Sequence, residues 1–135
     1  MANVVVLGID GMEPELVERW VDSGELPNIA TLRQEGAYGT ARCRSLVSAR
    51  QWTTHFTGVD VDRHGVSGFR RRSSESTDSV DGKGITPEVE QLINLSDISL
   101  LTYPELLGKA GLSSGLINPM PLWPPVKLSN GYCVS

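Results

Sequence analysis

The chain begins with a β-branched and aliphatic run, Val4–Ile9, and this run limits the possible folds more than any other feature. Its residues do not alternate between apolar and polar, so the pattern predicts a strand buried on both faces in a parallel sheet. Helical patterns follow it. Strands that alternate with helices favour right-handed crossovers, with helices covering both faces of the sheet. The sequence therefore predicts an α/β fold, a three-layer sandwich with a mostly parallel sheet.

Prolines at helix starts and glycines beyond helix ends divide the rest of the chain into elements. In chain order we expect a helix from Pro14 to Gly24, a second from Pro27 to Gly36, an ambiguous segment from Ala37 to Val47 with strand preferred, a helix from Ser48 to Phe56 with Gly58 beyond its end, a helix from Tyr103 to Ala110 and a strand from Ser114 to Ile117. From Arg70 the composition turns to Ser, Asp, Gly and charge, which predicts a loop or insertion over about 70–97. Asn118–Pro125 is too rich in proline for either element.

Composition excludes several classes of function. With 135 residues, 39% of them hydrophobic, the chain can bury a core, and its net charge of −4 argues against a nucleic-acid polymer as partner. The basic run Arg70–Arg72 is expected to be a solvated loop. Cys43 and Cys133 lack the spacing of a zinc ribbon or a disulfide scaffold. No stretch is long enough to span a bilayer and Val4–Ile9 is too short for a signal peptide, so we expect a cytoplasmic protein without a membrane partner.

Two side chains stand where a parallel sheet places its ligands. Asp10 follows the predicted first strand, and Ser48 stands at the predicted start of a helix. Each has a structural alternative: Asp10 is equally consistent with an Asp-Gly turn, and Ser48 with an N-cap that accepts a backbone hydrogen bond. As a nucleophile, Ser48 would gain from the helix dipole. A serine needs a base or a metal ion to react, and no local His or Lys stands at an obvious partnering distance in sequence.

Three blocks make a resemblance specific: V-V-V-L-G-I-D-G-M, G-E-L-P-N-I-A-T-L-R-Q-E-G-A and S-A-R-Q-W-T-T-H-F-T-G-V-D-V-D-R-H-G-V. Their order and spacing resemble the amino-terminal part of the type I phosphodiesterase/nucleotide pyrophosphatase family, within the alkaline phosphatase superfamily. The tail, with N-P-M-P-L-W-P-P and G-Y-C-V-S, is similar to a later segment of that family. The resemblance covers most of the chain except about 70–97, and it implies an alkaline phosphatase-like sandwich that is incomplete here.

The resemblance implies a hydrolase that uses two divalent metal ions, commonly zinc, to cleave small phosphate mono- or diesters through a covalent intermediate. Counted back from Thr57 and Gly58, the family's nucleophile falls on Ser48, and the family's first aspartate ligand falls on Asp10. Ser48 and Asp10 would then share one ion. Arg50, where proline is common in the family, is expected either to contact a substrate phosphate or to point to solvent.

Other residues of the motif have structural interpretations. The resemblance implies that His64 organises a turn rather than binding metal, and His55 is expected to be packed or on the surface. Asp60 and Asp62 are expected in a solvated loop. Phe69 stands near the place of an asparagine that binds phosphate in the nucleotide pyrophosphatases, so nucleotide specificity is not expected.

The family's remaining metal ligands, an Asp with a His a few residues later, an Asp-His pair and a final His, lie beyond the part that this chain matches. With only two histidines in the sequence, we expect the chain to be the amino-terminal portion of a single phosphoesterase domain, carrying the nucleophile but inactive alone. Two alternatives stay open. One is a related reaction of the superfamily, a phosphomutase or a phosphonate or sulfate-ester hydrolase. The other is a binding module without catalysis.

Overall fold

The computed structural model describes residues 3–73 and 89–135. These fall into two compact units, Met1–Arg44 and Ser45–Ser135. We refer to them as unit 1 and unit 2. Each has its own elements.

Unit 1 contains two helices, α1 (Pro14–Asp22) and α2 (Pro27–Glu35). Each begins with a proline, whose missing N–H costs nothing in the first turn. The carboxylate of Glu13 accepts a hydrogen bond from the Leu16 N–H at 2.9 Å and so caps α1. Both helices lie where proline and glycine predict them.

The strand predicted for Val4–Ile9 is wrong. The segment has no strand hydrogen bonding, and Val4, Val5 and Leu7 are more than four-fifths exposed. The preferred strand over Ala37–Val47 is also absent. An apolar run forms a parallel strand only when a neighbouring strand satisfies its backbone groups, and unit 1 supplies none among its described residues.

Unit 2 contains the remaining elements. In chain order these are α3 (Ser48–Thr57), α4 (Val61–His64), β1 (Arg70–Ser73), β2 (Val89–Leu92), a 3-10 helix (Leu95–Asp97), α5 (Tyr103–Lys109), β3 (Ser114–Ile117) and β4 (Gly131–Val134). The predictions for α3, α5 and β3 are confirmed. α3 ends at Gly58, which takes the left-handed conformation that glycine tolerates best (φ 69°). The sequence reasoning missed α4 and β4.

Two small sheets form in unit 2. β1 and β2 pair antiparallel, with Arg70 opposite Leu92, and β3 and β4 pair parallel, with Ser114 opposite Gly131. The whole basic run Arg70–Arg72 lies in β1, so the expected loop is wrong there, as it is for β2 and the 3-10 helix. Residues 74–88 of the predicted loop or insertion lie outside the described part of the chain. A parallel pair with helices around it is consistent with an incomplete α/β fold. The three-layer sandwich stays a prediction.

The core lies in unit 2 and joins residues that are far apart in sequence. Its buried members are Ala49, Phe56, Val66, Ile98, Leu116, Leu122 and Val126. Leu122 is fully buried although it lies in the proline-rich segment that forms neither helix nor strand, as predicted. The Leu95 N–H donates to the Trp123 carbonyl at 2.6 Å and ties that segment to the 3-10 helix. The two ends of unit 2 thus share one core with α3, the helix that carries Ser48.

Candidate functional site

Ser48 is the first residue of α3, and Val47 is its N-cap. The predicted N-cap role of Ser48 is therefore wrong by one residue, and its half-buried side chain lies at the positive end of the helix dipole. Two contacts of Ser45 define the start of the helix. Its hydroxyl accepts from the Val47 N–H at 3.1 Å, and its carbonyl accepts from the side-chain amide of Gln51. This local structure fixes the direction in which the chain enters α3.

The next residues anchor α3 through one buried face. Ala49, Thr53 and Phe56 are buried, at a spacing of four and three residues that keeps them on one side of the helix. The Thr53 hydroxyl is fully buried and donates to the Ala49 carbonyl at 2.7 Å. Thr53 is thus a structural residue of α3.

Arg50 lies two residues after Ser48 and contacts an acidic side chain. Its guanidinium lies 3.6 Å from the carboxylate of Asp60, with 27% and 35% of the two side chains exposed. Asp60 also accepts a hydrogen bond from the Val61 N–H at 2.7 Å and is the N-cap of α4. The expected solvated loop is therefore wrong for Asp60, whereas Asp62 is exposed. Arg50, in the first turn of α3, therefore contacts the residue that caps α4.

His64 is buried, with 2% of its surface exposed, and both ring nitrogens are used. Nε2 lies 3.0 Å from the Thr54 hydroxyl on α3, and Nδ1 accepts from the Val66 N–H at 3.1 Å. Burial lowers the pKa of His64 below its ordinary value of 6.5; the positive charge of Arg50 also lowers it, and the negative charge of Asp60 partly raises it. The prediction that His64 organises a turn is confirmed.

His55 lies on the exposed side of α3 and packs among aromatic rings. Its ring contacts Trp52, Phe56 and Tyr103 edge-on, with centroid separations of 5.8, 5.2 and 5.6 Å. The expectation of a packed or surface histidine is confirmed. Burial raises the pKa of the neighbouring Tyr103.

A cleft of about 510 Å³ lies beside the turn that follows His64. It is lined by Gly65, Val66, Ser67, Arg70, Arg71, Ile93 and Asp97. Arg71 is held in place, because its Nε lies 2.7 Å from the Asp97 carboxylate and a terminal nitrogen donates to Gln91 at 2.8 Å. The cleft is large enough for a small ligand.

Asp10 lies in unit 1, in an Asp-Gly turn with Gly11 at φ 66°. Its side chain is exposed, and no strand precedes it. The expected place at the carboxyl end of a strand is therefore wrong, and the alternative of an Asp-Gly turn describes its backbone. Asp10 and Ser48 belong to different units.

The blocks around Asp10, α2 and α3 decide which family the sequence belongs to. A sequence model of that family, described as type I phosphodiesterase / nucleotide pyrophosphatase, matches residues 4–97. The chain belongs to the type I phosphodiesterase/nucleotide pyrophosphatase family. The match includes residues 70–97, for which the sequence motifs showed no resemblance to the family. It ends before the carboxy-terminal segment 98–135. The chain has no significant match among curated proteins or among solved structures.

Membership in the type I phosphodiesterase/nucleotide pyrophosphatase family indicates a phosphodiesterase or pyrophosphatase type of hydrolase, in a superfamily that is generally metal-dependent. The residues 3–73 and 89–135 contain no group of three or more His, Cys, Asp or Glu side chains that could hold a metal ion. Both nitrogens of His64 are already engaged, and His55 packs in an aromatic cluster. The described residues do not by themselves fit a two-metal centre. No helix in the same residues has the length and apolarity to cross a membrane.

Sequence reasoning missed the residues that support α3. Ser45, Gln51 and Thr54 fix the start of the helix and its contact with α4. A signal existed for one of them, because a serine shortly before a helix commonly binds backbone N–H groups. Thr54 and His64 are ten residues apart and meet because the chain turns between them. No sequence pattern predicts this contact.

Proposed function

We propose that this chain provides the nucleophile region of a metal-dependent hydrolase of small phosphate mono- or diesters, with Ser48 as the nucleophile. The family match over residues 4–97 carries the proposal, because it includes the motif in which Ser48 stands. The position of Ser48 supports it: a negative charge that develops at the first residue of a ten-residue helix is stabilised by the helix dipole.

The three threonine hydroxyls of α3 make structural contacts. The Thr53 hydroxyl donates a hydrogen bond to the Ala49 carbonyl, and the Thr54 hydroxyl contacts His64. Thr57 likewise donates to the Thr53 carbonyl at 2.7 Å. These three hydroxyls have structural roles in the helix, so none of them is proposed as the nucleophile.

The proposed reaction has two steps. The Ser48 oxygen forms a bond to phosphorus while the bond from phosphorus to the leaving oxygen breaks, and the proton lost by Ser48 ends on the departing alcohol. Water then attacks phosphorus, the bond from phosphorus to the Ser48 oxygen breaks, and a proton from water restores the serine hydroxyl as phosphate or a monoester is released. Arg50 is proposed to contact a substrate phosphate oxygen, since its guanidinium lies in the first turn of the same helix.

Asp10 and the Ser48 oxygen are proposed as two ligands of the first metal ion. Zinc is the proposed metal. His55 is not a candidate base for Ser48, because it lies seven residues later, about 10 Å along the helix. Two side chains make an incomplete set for zinc, which takes three or four protein ligands.

The experiment compares the 135-residue chain with the product of a gene that continues beyond Ser135, using an aryl phosphate monoester and an aryl phosphate diester. The short chain is expected to show no zinc-stimulated hydrolysis. The longer product is expected to be active, to lose activity with a chelator and to regain it with zinc. Strong chelator-sensitive activity of the short chain would contradict the expectation that the 135-residue chain is inactive alone.

The matched variants are Ser48→Ala and Thr57→Ala in the longer product. Ser48→Ala is expected to lower turnover by several orders of magnitude, because the covalent step is lost. Thr57→Ala removes a hydroxyl from the same helix and is expected to retain most activity. A Ser48→Ala protein with near-normal turnover would move the nucleophile elsewhere, and a longer product that is folded but inactive would favour a binding module.

A further inference from the structure

His64 is the side chain that joins α3 to the turn after α4. Its two ring nitrogens point in different directions, one to the Thr54 hydroxyl and one to the Val66 backbone. The ring is 2% exposed, so water does not replace either partner while the fold is intact. Gly65, between His64 and Val66, takes φ 78°, a conformation that lets the chain turn back toward the ring.

The hydrogen bonds fix the protonation state of the ring. A backbone N–H is only a donor, so the nitrogen that receives the Val66 N–H must carry a lone pair. The single proton of a neutral imidazole is therefore on Nε2, which donates to the Thr54 hydroxyl. A second proton at Nδ1 would place two N–H groups against each other inside the fold.

The charged groups around His64 act in opposite directions. Asp60 at the start of α4 favours the charged ring, and Arg50 on α3 disfavours it. Asp62 and Arg63 on α4 and His55 on α3 are exposed. Burial is the largest influence, and the net effect is to lower the pKa of His64.

We propose that His64 is a positioning residue which, as the neutral Nε2–H tautomer, holds α3 against the Gly65–Val66 turn, and that protonation of the ring releases the turn from α3. Its effect on catalysis rests on the proposed function, because Ser48 lies six residues before Thr54 on the same helix. The turn held by Val66 also lines the cleft of Gly65, Ser67 and Arg71. His64 therefore sets the relation between the nucleophile helix and one wall of that cleft.

The sign of the pH effect follows from the lowered pKa. The unfolded chain binds a proton at His64 more readily than the folded chain does. The stability that His64 contributes is complete above the ordinary value of 6.5 and is lost as the pH falls below it, through the lower pKa of the folded state. Protonation of Nδ1 at low pH is expected to break the hydrogen bond that it accepts from the Val66 N–H.

The test uses the 15N-labelled 135-residue chain with His55→Gln, so that the only imidazole signals are those of His64. Long-range 1H–15N spectra at pH 8 are expected to show the Nε2–H tautomer. As the pH is lowered, the Val66 amide and the Thr54 side chain are expected to change with one midpoint below 6.5. Hydrogen exchange of the Val66 amide, corrected for its intrinsic pH dependence, should accelerate roughly tenfold across that midpoint.

Two substitutions at His64 each keep one of its two contacts, the contact with Val66 or the contact with Thr54. In His64→Asn the side-chain oxygen stands near the place of Nδ1 and keeps the Val66 amide protected, while the Thr54 contact is lost. In His64→Gln the amide nitrogen reaches toward Thr54, and protection of Val66 is lost. Both variants are expected to lose the pH-dependent step. Asp60→Asn, which retains an N-cap side chain, should lower the midpoint further, because the opposite charge is removed.

An Nδ1–H tautomer at pH 8, separate midpoints for Val66 and Thr54, or a pH-dependent step that persists in both His64 variants would overturn the proposal. The arm that concerns catalysis uses the longer, active product, in which His64→Gln is expected to lower turnover and to remove the step in the pH profile of turnover that accompanies protonation of His64. Unchanged turnover would overturn the positioning role. A Ser48→Ala protein that keeps near-normal turnover and the Nε2–H tautomer of His64 would instead count against the proposed nucleophile alone.

Discussion

The two units of this chain differ most in burial, although both contain well-defined helices. In unit 1 only Val17 is buried among the described residues, whereas unit 2 buries a cluster that includes Phe56, Leu116 and Leu122. Helix ends in both units are set by prolines, glycines and capping side chains within a few residues. The comparison shows that local chemistry is sufficient to start and stop these helices, while a core requires partners that are distant in sequence.

The comparison is tested most strongly by truncating one large apolar side chain in each unit. Phe56→Ala is expected to lower the free energy of unfolding by about 3–5 kcal/mol, because Phe56 is 4% exposed and contacts the core. Leu7→Ala, at a residue that is 83% exposed, should change it by less than about 0.5 kcal/mol. Urea denaturation followed by circular dichroism measures both. A large loss for Leu7→Ala would show that Val4–Ile9 is buried in solution, and it would restore the strand that the sequence predicts.

Substituting one glycine in each unit tests whether the backbone is more closely packed in unit 2 than in unit 1. A Cβ at Gly131 would stand 1.9 Å from the Ser114 carbonyl oxygen across the β3–β4 pair, where the backbone cannot withdraw without losing a strand hydrogen bond. Gly131→Ala is therefore expected to cost roughly 2–4 kcal/mol. Gly11→Ala meets no atom within 4 Å and has only the strain of φ 66°, about 1 kcal/mol. Equal losses in thermal denaturation would mean that the close approach of β3 to β4 does not hold in solution.

Part of the fold was predictable because its causes are local. The helix beginning at Tyr103 has a proline in its first turn and Gly111 just after its end, and Ser114–Ile117 has a strand pattern bounded by turns. β4 was missed because Gly131–Val134 is short and gains its strand character from pairing with β3. Val4–Ile9 has the stronger strand pattern but lacks a described partner, so pattern alone gave the wrong result there.

In the candidate site, too, features with local causes were predictable and contacts between distant residues were not. The turn-forming role of His64 was predictable, and its burial against Thr54 and Val66 was not, because those contacts depend on how α4 packs against α3. Arg50 was expected at a phosphate or in solvent, and the structure pairs it with Asp60, ten residues away. The identity of residues in a motif is visible in the sequence, but the partners that restrain them become visible only in the packed structure.

Helix capping gives the smallest test of the difference between the units. Thr102, the N-cap of α5, is fully buried, and both its N–H and its hydroxyl donate to the Glu105 carboxylate, at 2.8 and 2.7 Å. Thr102→Ala is expected to cost about 1–2 kcal/mol, because it removes one of these hydrogen bonds where water cannot replace it. The conservative Thr102→Ser should recover most of the loss.

Glu13→Ala is the matched change in unit 1, where the exposed carboxylate of Glu13 caps α1 through the Leu16 N–H. Water can solvate this N–H once the cap is removed. Glu13→Ala should therefore lower the free energy of unfolding clearly less than Thr102→Ala does. Thermal denaturation of the three variants in one buffer decides between them. If Glu13→Ala destabilises the protein as much as Thr102→Ala, then the cap of α1 is shielded from water, and unit 1 is more closely packed in solution than its exposed side chains indicate.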